Sequence, residues 1–235
     1  MRIDKLISSM GIATRREISQ NAKRGLVLVD GVPVRDPSRH IDPQVNVVSY
    51  LGEELTYREF VYVMLNKPEG YVSATDDPRM PYVLELLPER YGKMGLFPVG
   101  RLDRDTTGLM ILTNNGPLAH ALLSPKHHVE KEYRFSCEKP LVADAEHRFM
   151  QGITIDGGEL CKSARLIADD DRLGGVIVLT EGKYHQIKRM LEAIGNRITR
   201  LERISFGSIP LDPSLKRGEF RELTQKEIQI LENQK

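Results

Sequence analysis

Residues 100–116 read GRLDRDTTGLMILTNNG. A polar run holding Arg101, Asp103, Arg104 and Asp105 leads straight into LMILT (109–113), an apolar stretch of strand length that ends at Asn114-Asn115-Gly116. Uninterrupted apolar runs of this length, closed by turn residues, read as strands buried on both faces. The neighbouring sequence carries the same signature. FVYVMLNKPEGYVSAT (60–75) reads as a buried strand running into a Lys-Pro-Glu-Gly turn, KEYRFSC (131–137) alternates, and GVIVLT (175–180) is a further buried strand. In YHQIKRMLEAIGN (184–196), Ile187, Met190, Leu191 and Ile194 recur at helical spacing and Gly195-Asn196 is the stop. Thr224 and Glu227 make a capping box ahead of Ile228 and Leu231. The pattern predicts an α+β domain over residues 60–235, with a mainly antiparallel mixed sheet flanked by helices.

The first fifty residues predict a separate small module. Ile3, Leu6, Ile7 and Met10 fall at helical spacing ahead of Gly11, and Thr14 with Glu17 caps a second helix that Gly25 closes. In VLVDGVPV (27–34) apolar residues alternate into Asp30-Gly31 and out again, a strong hairpin signal. The turn-rich DPSRHIDPQ (36–44) is followed by VNVVSYL as another strand. Composition changes after Glu53-Glu54, so the expected division is 1–50, a linker at 51–59, and 60–235.

Composition removes several classes of function. The 235 residues hold 34 Lys plus Arg against 33 Asp plus Glu, a net charge of +1, with 40% apolar and 29% charged residues. An ordinary globular protein is expected. The longest apolar run, Phe60–Leu65, is far short of the roughly 18 residues of a membrane helix. No secretory leader is apparent in MRIDKLISSMG, and Cys137 and Cys161 are too few for a disulfide framework or a four-ligand zinc site. A cytoplasmic chain without membrane contact or structural metal is therefore expected. His127-His128 and His185 lack the HExxH or Cys-rich context of metal ligands, and no phosphate or dinucleotide loop is present.

Charge is concentrated locally. Residues 1–24 carry Arg2, Lys5, Arg15, Arg16, Lys23 and Arg24 against Asp4 and Glu17, a balance of +4. Residues 181–203 carry six basic side chains against three glutamates. Either is a solvated helix face or a surface for an anionic partner. The loop 101–105 is likewise open to two readings. It is a salt-bridged turn, or a site in which ionised aspartates stand beside guanidinium groups. Adjacent arginines favour ionised carboxylates, which argues against a glycosidase-type general acid.

RIDKLISSMGIATRREISQNAKRGLVLVDGVPV (2–34) resembles the S4 RNA-binding module. That resemblance implies that Arg2, Lys5, Arg15, Arg16, Lys23 and Arg24 meet RNA, through phosphate contacts that position without reading sequence. GRLDRDTTGLMILTNNG is similar to the catalytic motif of RNA pseudouridine synthases, with HVEKEYRF and EGKYHQIKRM…RLERISFG matching two further motifs in order. An S4 module joined to these blocks resembles the branch that isomerises uridine 516 of 16S rRNA. The resemblance implies a cofactor-independent isomerase with Asp103 as catalytic carboxylate, Lys188 as its ion partner and Tyr133, two residues after Lys131, against the base. It also implies Arg101 filling or bracing the gap a flipped base leaves, and Leu201 lining the pocket. The expected partner is small-subunit ribosomal RNA or an assembly intermediate, and the chain is expected to act as a monomer. The alternatives are a synthase of large-subunit rRNA and a non-catalytic RNA-binding assembly factor.

Overall fold

The computed structural model describes residues 1–124 and 126–234. At the N-terminus, α1 (Ile3–Ser9) and α2 (Arg15–Lys23) lie against an antiparallel sheet of β1 (Val27–Val29), β2 (Val32–Pro33), β3 (Val48–Tyr50) and β4 (Glu53–Leu55), in the order β2-β1-β3-β4. The Thr14–Glu17 capping box forms as expected, with the Thr14 amide donating to Glu17 Oε2 at 2.7 Å. Asp30 and Gly31 take the positive φ values that a two-residue hairpin with right-handed strand twist requires. Ile3, Leu6, Ile7, Ile18, Ala22, Val27 and Val29 form a core of their own with Val48 and Tyr50. The sheet runs further than the sequence suggested. β4 pairs with β3 and Tyr57 packs on this core, so residues 53–57 of the expected 51–59 linker are tied to the first module.

The larger unit is built on one mixed sheet. Its path is β11 (Arg165–Ala168), β12 (Gly174–Leu179), β8 (Lys131–Cys137), β13 (Ile198–Phe206), β7 (Thr107–Thr113), β5 (Tyr62–Lys67) and β15 (Phe220–Glu222), with β6 (Phe97–Pro98) on β7 and β14 (Ile209–Pro210) on β13. All pairings are antiparallel except β13 with β7. A small hairpin, β9 (Thr154–Ile155) with β10 (Glu159–Leu160), stands apart.

Tyr62–Leu65 of β5 and Leu109–Leu112 of β7 are apolar because both faces are covered. Tyr62, Met64, Leu109 and Ile111 face one core, with Leu118 and Leu122 of α4 (Gly116–Leu123) and Leu231 of α7 (Gln225–Asn233). Val63, Leu65, Met110 and Leu112 face the other, with Tyr91 of α3 (Glu89–Lys93). A further core joins β8, β12 and β13 to α5 (Ala145–Gln151) and α6 (Gln186–Ala193). Asn114-Asn115-Gly116 is more than the turn its composition suggests. The Asn115 side chain accepts from the Leu118 amide and starts α4.

Register creates one row across the sheet. Lys67 opposes Gly108, Gly108 opposes Arg203, Arg203 opposes Tyr133, and Tyr133 opposes Ile177. Cross-strand partners share a face, so Lys67, Arg203 and Tyr133 rise on one side of the sheet. Gly108 has φ +101°, and a Cβ there would collide with the Arg203 carbonyl oxygen and stand 2.9 Å from the Arg203 nitrogen. Only glycine allows β7 and β13 to approach at this point. Gly108→Ala is expected to destabilise the fold by about 2–4 kcal/mol, combining backbone strain with overpacking. Urea unfolding checks this. A loss below about 0.5 kcal/mol would show that the strands separate there at little cost.

Candidate active site

The loop between β6 and β7 is held by its backbone. Lys67, at the end of β5, is fully buried, and its Nζ donates to the carbonyl oxygens of Thr106 at 2.8 Å, Asp103 at 3.0 Å, Pro68 at 3.1 Å and Arg104 at 3.2 Å. The Gly70 amide donates to the Arg104 carbonyl at 2.9 Å. The Ser73 hydroxyl donates to the Leu102 carbonyl at 2.7 Å and accepts from the Leu102 amide at 2.9 Å. The Lys-Pro-Glu-Gly segment, read from sequence as a turn, is thus the clamp on the charged loop. Its signal was a lysine closing an otherwise apolar strand, a position where a charge is expensive unless it is satisfied.

Clamped this way, the loop presents Asp103 and Asp105 to α6. Lys188 Nζ lies 3.1 Å from Asp103 Oδ2 and 2.6 Å from Asp105 Oδ1, and His185 Nε2 lies 3.6 Å from Asp103 Oδ1. The counter-charge therefore comes from a helix 85 positions further along the chain from Asp103. The family resemblance implied Lys188 in this position, while the guanidinium groups beside the aspartates, Arg101 and Arg104, make no ion pair among the described residues. Burial works against the Asp105 carboxylate, but its hydrogen bond to Lys188 and that ammonium's charge outweigh it, holding the carboxyl below its usual range. Burial likewise opposes the Lys188 ammonium, and Asp105 and Asp103 together override it and raise its pKa.

Asp103, Lys188 and His185 line an open cleft of about 460 Å³ counting its solvent-filled mouth, and Asp105 lies outside its lining. Arg101, Asp103, Tyr133, Lys188 and Leu201, singled out separately in the sequence, all border it, with Thr106, His185 and Gln186. Tyr133 enters from β8 and packs between two of the cores, while Arg101 is exposed at the rim. Lys131 does not line the cleft. It is buried near the Phe206 ring, its nitrogen 5.7 Å from the centroid, and burial with the nearby Arg203 charge pushes its pKa down to about 8. Arg203 is buried beside Gly108 with Nε donating to the Leu109 carbonyl at 2.7 Å. Sequence reading quoted His185 and Arg203 within the third motif and Lys67 within a turn, but gave none of the three a place in this neighbourhood.

The basic residues of the first module lie elsewhere. Arg2, Lys5, Arg15, Arg16, Lys23 and Arg24 are all exposed. Arg2 is paired with Asp4 at 2.7 Å, whereas the other five are in no ion pair among the described residues. No cluster of three or more potential metal-ligating side chains occurs among the described residues, and no described helix is long and apolar enough to cross a membrane.

Comparison with known proteins matches this arrangement. The RNA pseudouridylate synthase family pattern covers residues 61–193 and the S4 domain pattern residues 1–47. An uncharacterized RNA pseudouridine synthase of Bacillus subtilis (strain 168) is 42% identical over 234 residues, 98% of each chain. The ribosomal small subunit pseudouridine synthase A of Escherichia coli (strain K12) is 37% identical over 229 residues, 97% of this chain and 98% of that one. A crystal structure of a pseudouridylate synthase superimposes with a TM-score of 0.70 at 36% identity, covering 98% of this chain and 99% of that one. The chain belongs to the RNA pseudouridine synthase family, an isomerase with an S4 domain ahead of its catalytic domain.

Lys67 gives the site a pH dependence. Burial pushes its pKa from 10.5 down to about 8, with the Asp105 and Asp103 carboxylates opposing the shift. Below about 8 the ammonium offers three donors to the loop carbonyls; above it the neutral amine offers two and no charge. The plot of kcat/KM, which reports the free enzyme's groups, is expected to fall as pH rises through about 8. Lys67→Met should remove that alkaline limb and cost about 100-fold through misplacement of the loop. Lys131→Met should leave the limb in place. An unchanged limb in Lys67→Met would assign it to another group.

Proposed function

We propose that this synthase isomerises a uridine of small-subunit ribosomal RNA, uridine 516 of 16S rRNA being the target, with Asp103 as the catalytic carboxylate and no cofactor. The observation that carries the reading is the convergence of Asp103, Lys188, Tyr133, Arg101 and Leu201 on one cleft, from four separate stretches of chain. The E. coli relative, similar over almost its full length, is named for the small subunit, and that similarity supports the choice of RNA.

The reaction breaks the N1–C1′ bond, turns the uracil, forms a C1′–C5 bond, and moves the C5 proton to N1. Asp103 acts on the ribose, as a nucleophile at C1′ or as the base that takes a sugar proton. Both roles use its ionised form and neither calls for a metal. Lys188 supplies the counter-charge at 3.1 Å and is shared with Asp105. The target must leave its stack before it can enter the cleft, at a cost of a few kcal/mol. Tyr133 offers a ring for the uracil, worth about 1–3 kcal/mol. Arg101, exposed at the rim, is placed to brace the vacated position, and Leu201 forms an apolar wall. We divide the chain between residues 57 and 60, with the first module holding the RNA backbone through Arg2, Lys5, Arg15, Arg16, Lys23 and Arg24.

Tritium release from 5-³H-uridine-labelled small-subunit rRNA tests the chemistry. The wild type is expected to release label and Asp103→Asn to release none, while binding RNA within about twofold of wild type, since the carboxylate acts on the bound nucleotide. Release by Asp103→Asn, or loss of its RNA binding, would remove Asp103 from the catalytic role. Release from large-subunit rRNA in place of small-subunit rRNA would reassign the target.

A second measurement tests the first module. Replacing Arg15, Arg16, Lys23 and Arg24 with Gln should lower the slope of log Kd against log salt by about 3, at up to ~0.9 per phosphate contact. All four are exposed and in no ion pair among the described residues, so stability should change by less than about 0.5 kcal/mol. An unchanged slope would mean these residues do not meet phosphates.

A further inference from the structure

The wall of the cleft continues outward as a pair of stacked rings. His185 lines the cleft, and Tyr184 lies outside it. The rings are parallel to within 18°, with centroids 3.8 Å apart. Tyr184 is 69% exposed, the most exposed tyrosine or phenylalanine among the described residues. One face of a flat two-ring stack is thus offered to solvent one residue from the catalytic loop's partner helix.

The backbone beneath the rings is held. His185 adopts the left-handed conformation, φ +50°, immediately before α6. A non-glycine residue in that region is strained and persists only when its surroundings impose it. Here the Lys183 amide donates to Gln186 Oε1 at 2.9 Å, the Gln186 amide returns to the Lys183 carbonyl at 3.2 Å, and Gln186, itself buried, donates to Glu181 at 2.6 Å. Arg189 donates to the Tyr184 carbonyl at 3.2 Å. An exposed ring on a fixed backbone binds without much loss of side-chain freedom.

Charge is not what this spot offers. Lys183 is paired with Glu159 at 3.0 Å, and Arg189 with Asp156 and Glu159. What remains is the flat face of Tyr184, and every nucleobase has a complementary one. We infer that Tyr184, backed by His185, is a stacking site for the nucleobase next to the target uridine. The inference rests on the proposed RNA-modifying function, which brings a flipped nucleotide to the cleft and its covalent neighbours to the rim. Flipping removes a stacking partner from the neighbouring base, and the Tyr184 ring replaces it. This deepens substrate recognition without reading sequence, because stacking tolerates any base.

A 16S rRNA fragment spanning uridine 516, with 2-aminopurine in place of either neighbouring base in turn, tests the inference by fluorescence and binding. Wild type is expected to quench the probe at one of the two positions on binding. Tyr184→Ala should lose that quenching and bind about 5- to 150-fold more weakly, with unchanged circular dichroism, and Tyr184→Phe should keep both properties. No quenching by wild type at either position, equal quenching by Tyr184→Ala, or failure of Tyr184→Phe to match wild type would overturn the stacking site. Tritium release on the same fragment separates the two claims. Quenching lost in Tyr184→Ala without tritium release by wild type would uphold the stacking site and overturn the proposed target.

Discussion

A fully buried ammonium, on Lys67, organises the catalytic end of this molecule. Four backbone carbonyls surround its nitrogen at 2.8–3.2 Å, three of them from residues 103–106. Removing a charge from water is expensive unless its donors are satisfied and compensating charge is near. Both conditions hold here. The carbonyls take the donors, and the Asp103 and Asp105 carboxylates favour the ammonium. Dependence runs in both directions. The loop that exposes the two aspartates has its backbone fixed by Lys67, and their side chains help keep Lys67 charged. With Lys188 on the outer side, two cations and two anions balance around one turn of chain.

The sheet decides where that turn sits. Register carries Lys67, Gly108, Arg203 and Tyr133 across β5, β7, β13 and β8 in a single row. The missing side chain at Gly108 brings the central parallel pair close together. Tyr133 therefore reaches the cleft from a strand two places away from the one that follows the catalytic loop, and α6 lowers Lys188 and His185 over the opening. Tyr133 on a strand and Lys188 on a packed helix are held more firmly than groups on free loops would be. That suits a reaction whose substrate must first be pulled out of a folded RNA.

The two units differ in how their charges are placed. An overall balance of +1 hides a first module with unpaired basic side chains on its helices and a larger unit in which Lys188, Arg189 and eight other basic residues are paired with carboxylates. Long-range attraction to an RNA backbone and short-range handling of one nucleotide place opposite demands on a surface, one wanting free cations and the other balanced ones. Separating them in sequence and in core lets each be met.

Much of this was legible in the amino-acid order, for identifiable reasons. Strands β5, β7 and β12 announce themselves because burial on two faces demands apolar runs, β8 because its residues alternate, and α2 and α7 because Thr-x-x-Glu satisfies amides at a helix start. The catalytic motif and its companions stand out because their residue types and order are distinctive. Other features depend on contacts between distant segments. β4 exists because β3 is beside it, and Asn115 caps a helix because α4 has a core to cover. Short α5, without a side-chain cap, is held by burying Ala145 and Phe149. The ion partner of Asp103 is fixed the same way: composition offered the neighbouring Arg101 and Arg104 and the family motif offered Lys188, and side-chain direction on a clamped loop turns the carboxylates toward Lys188. Local sequence determined which segments form elements and which residues could do chemistry. Tertiary packing alone determined which of them meet, because a side chain's partners are set by the faces that burial forces together.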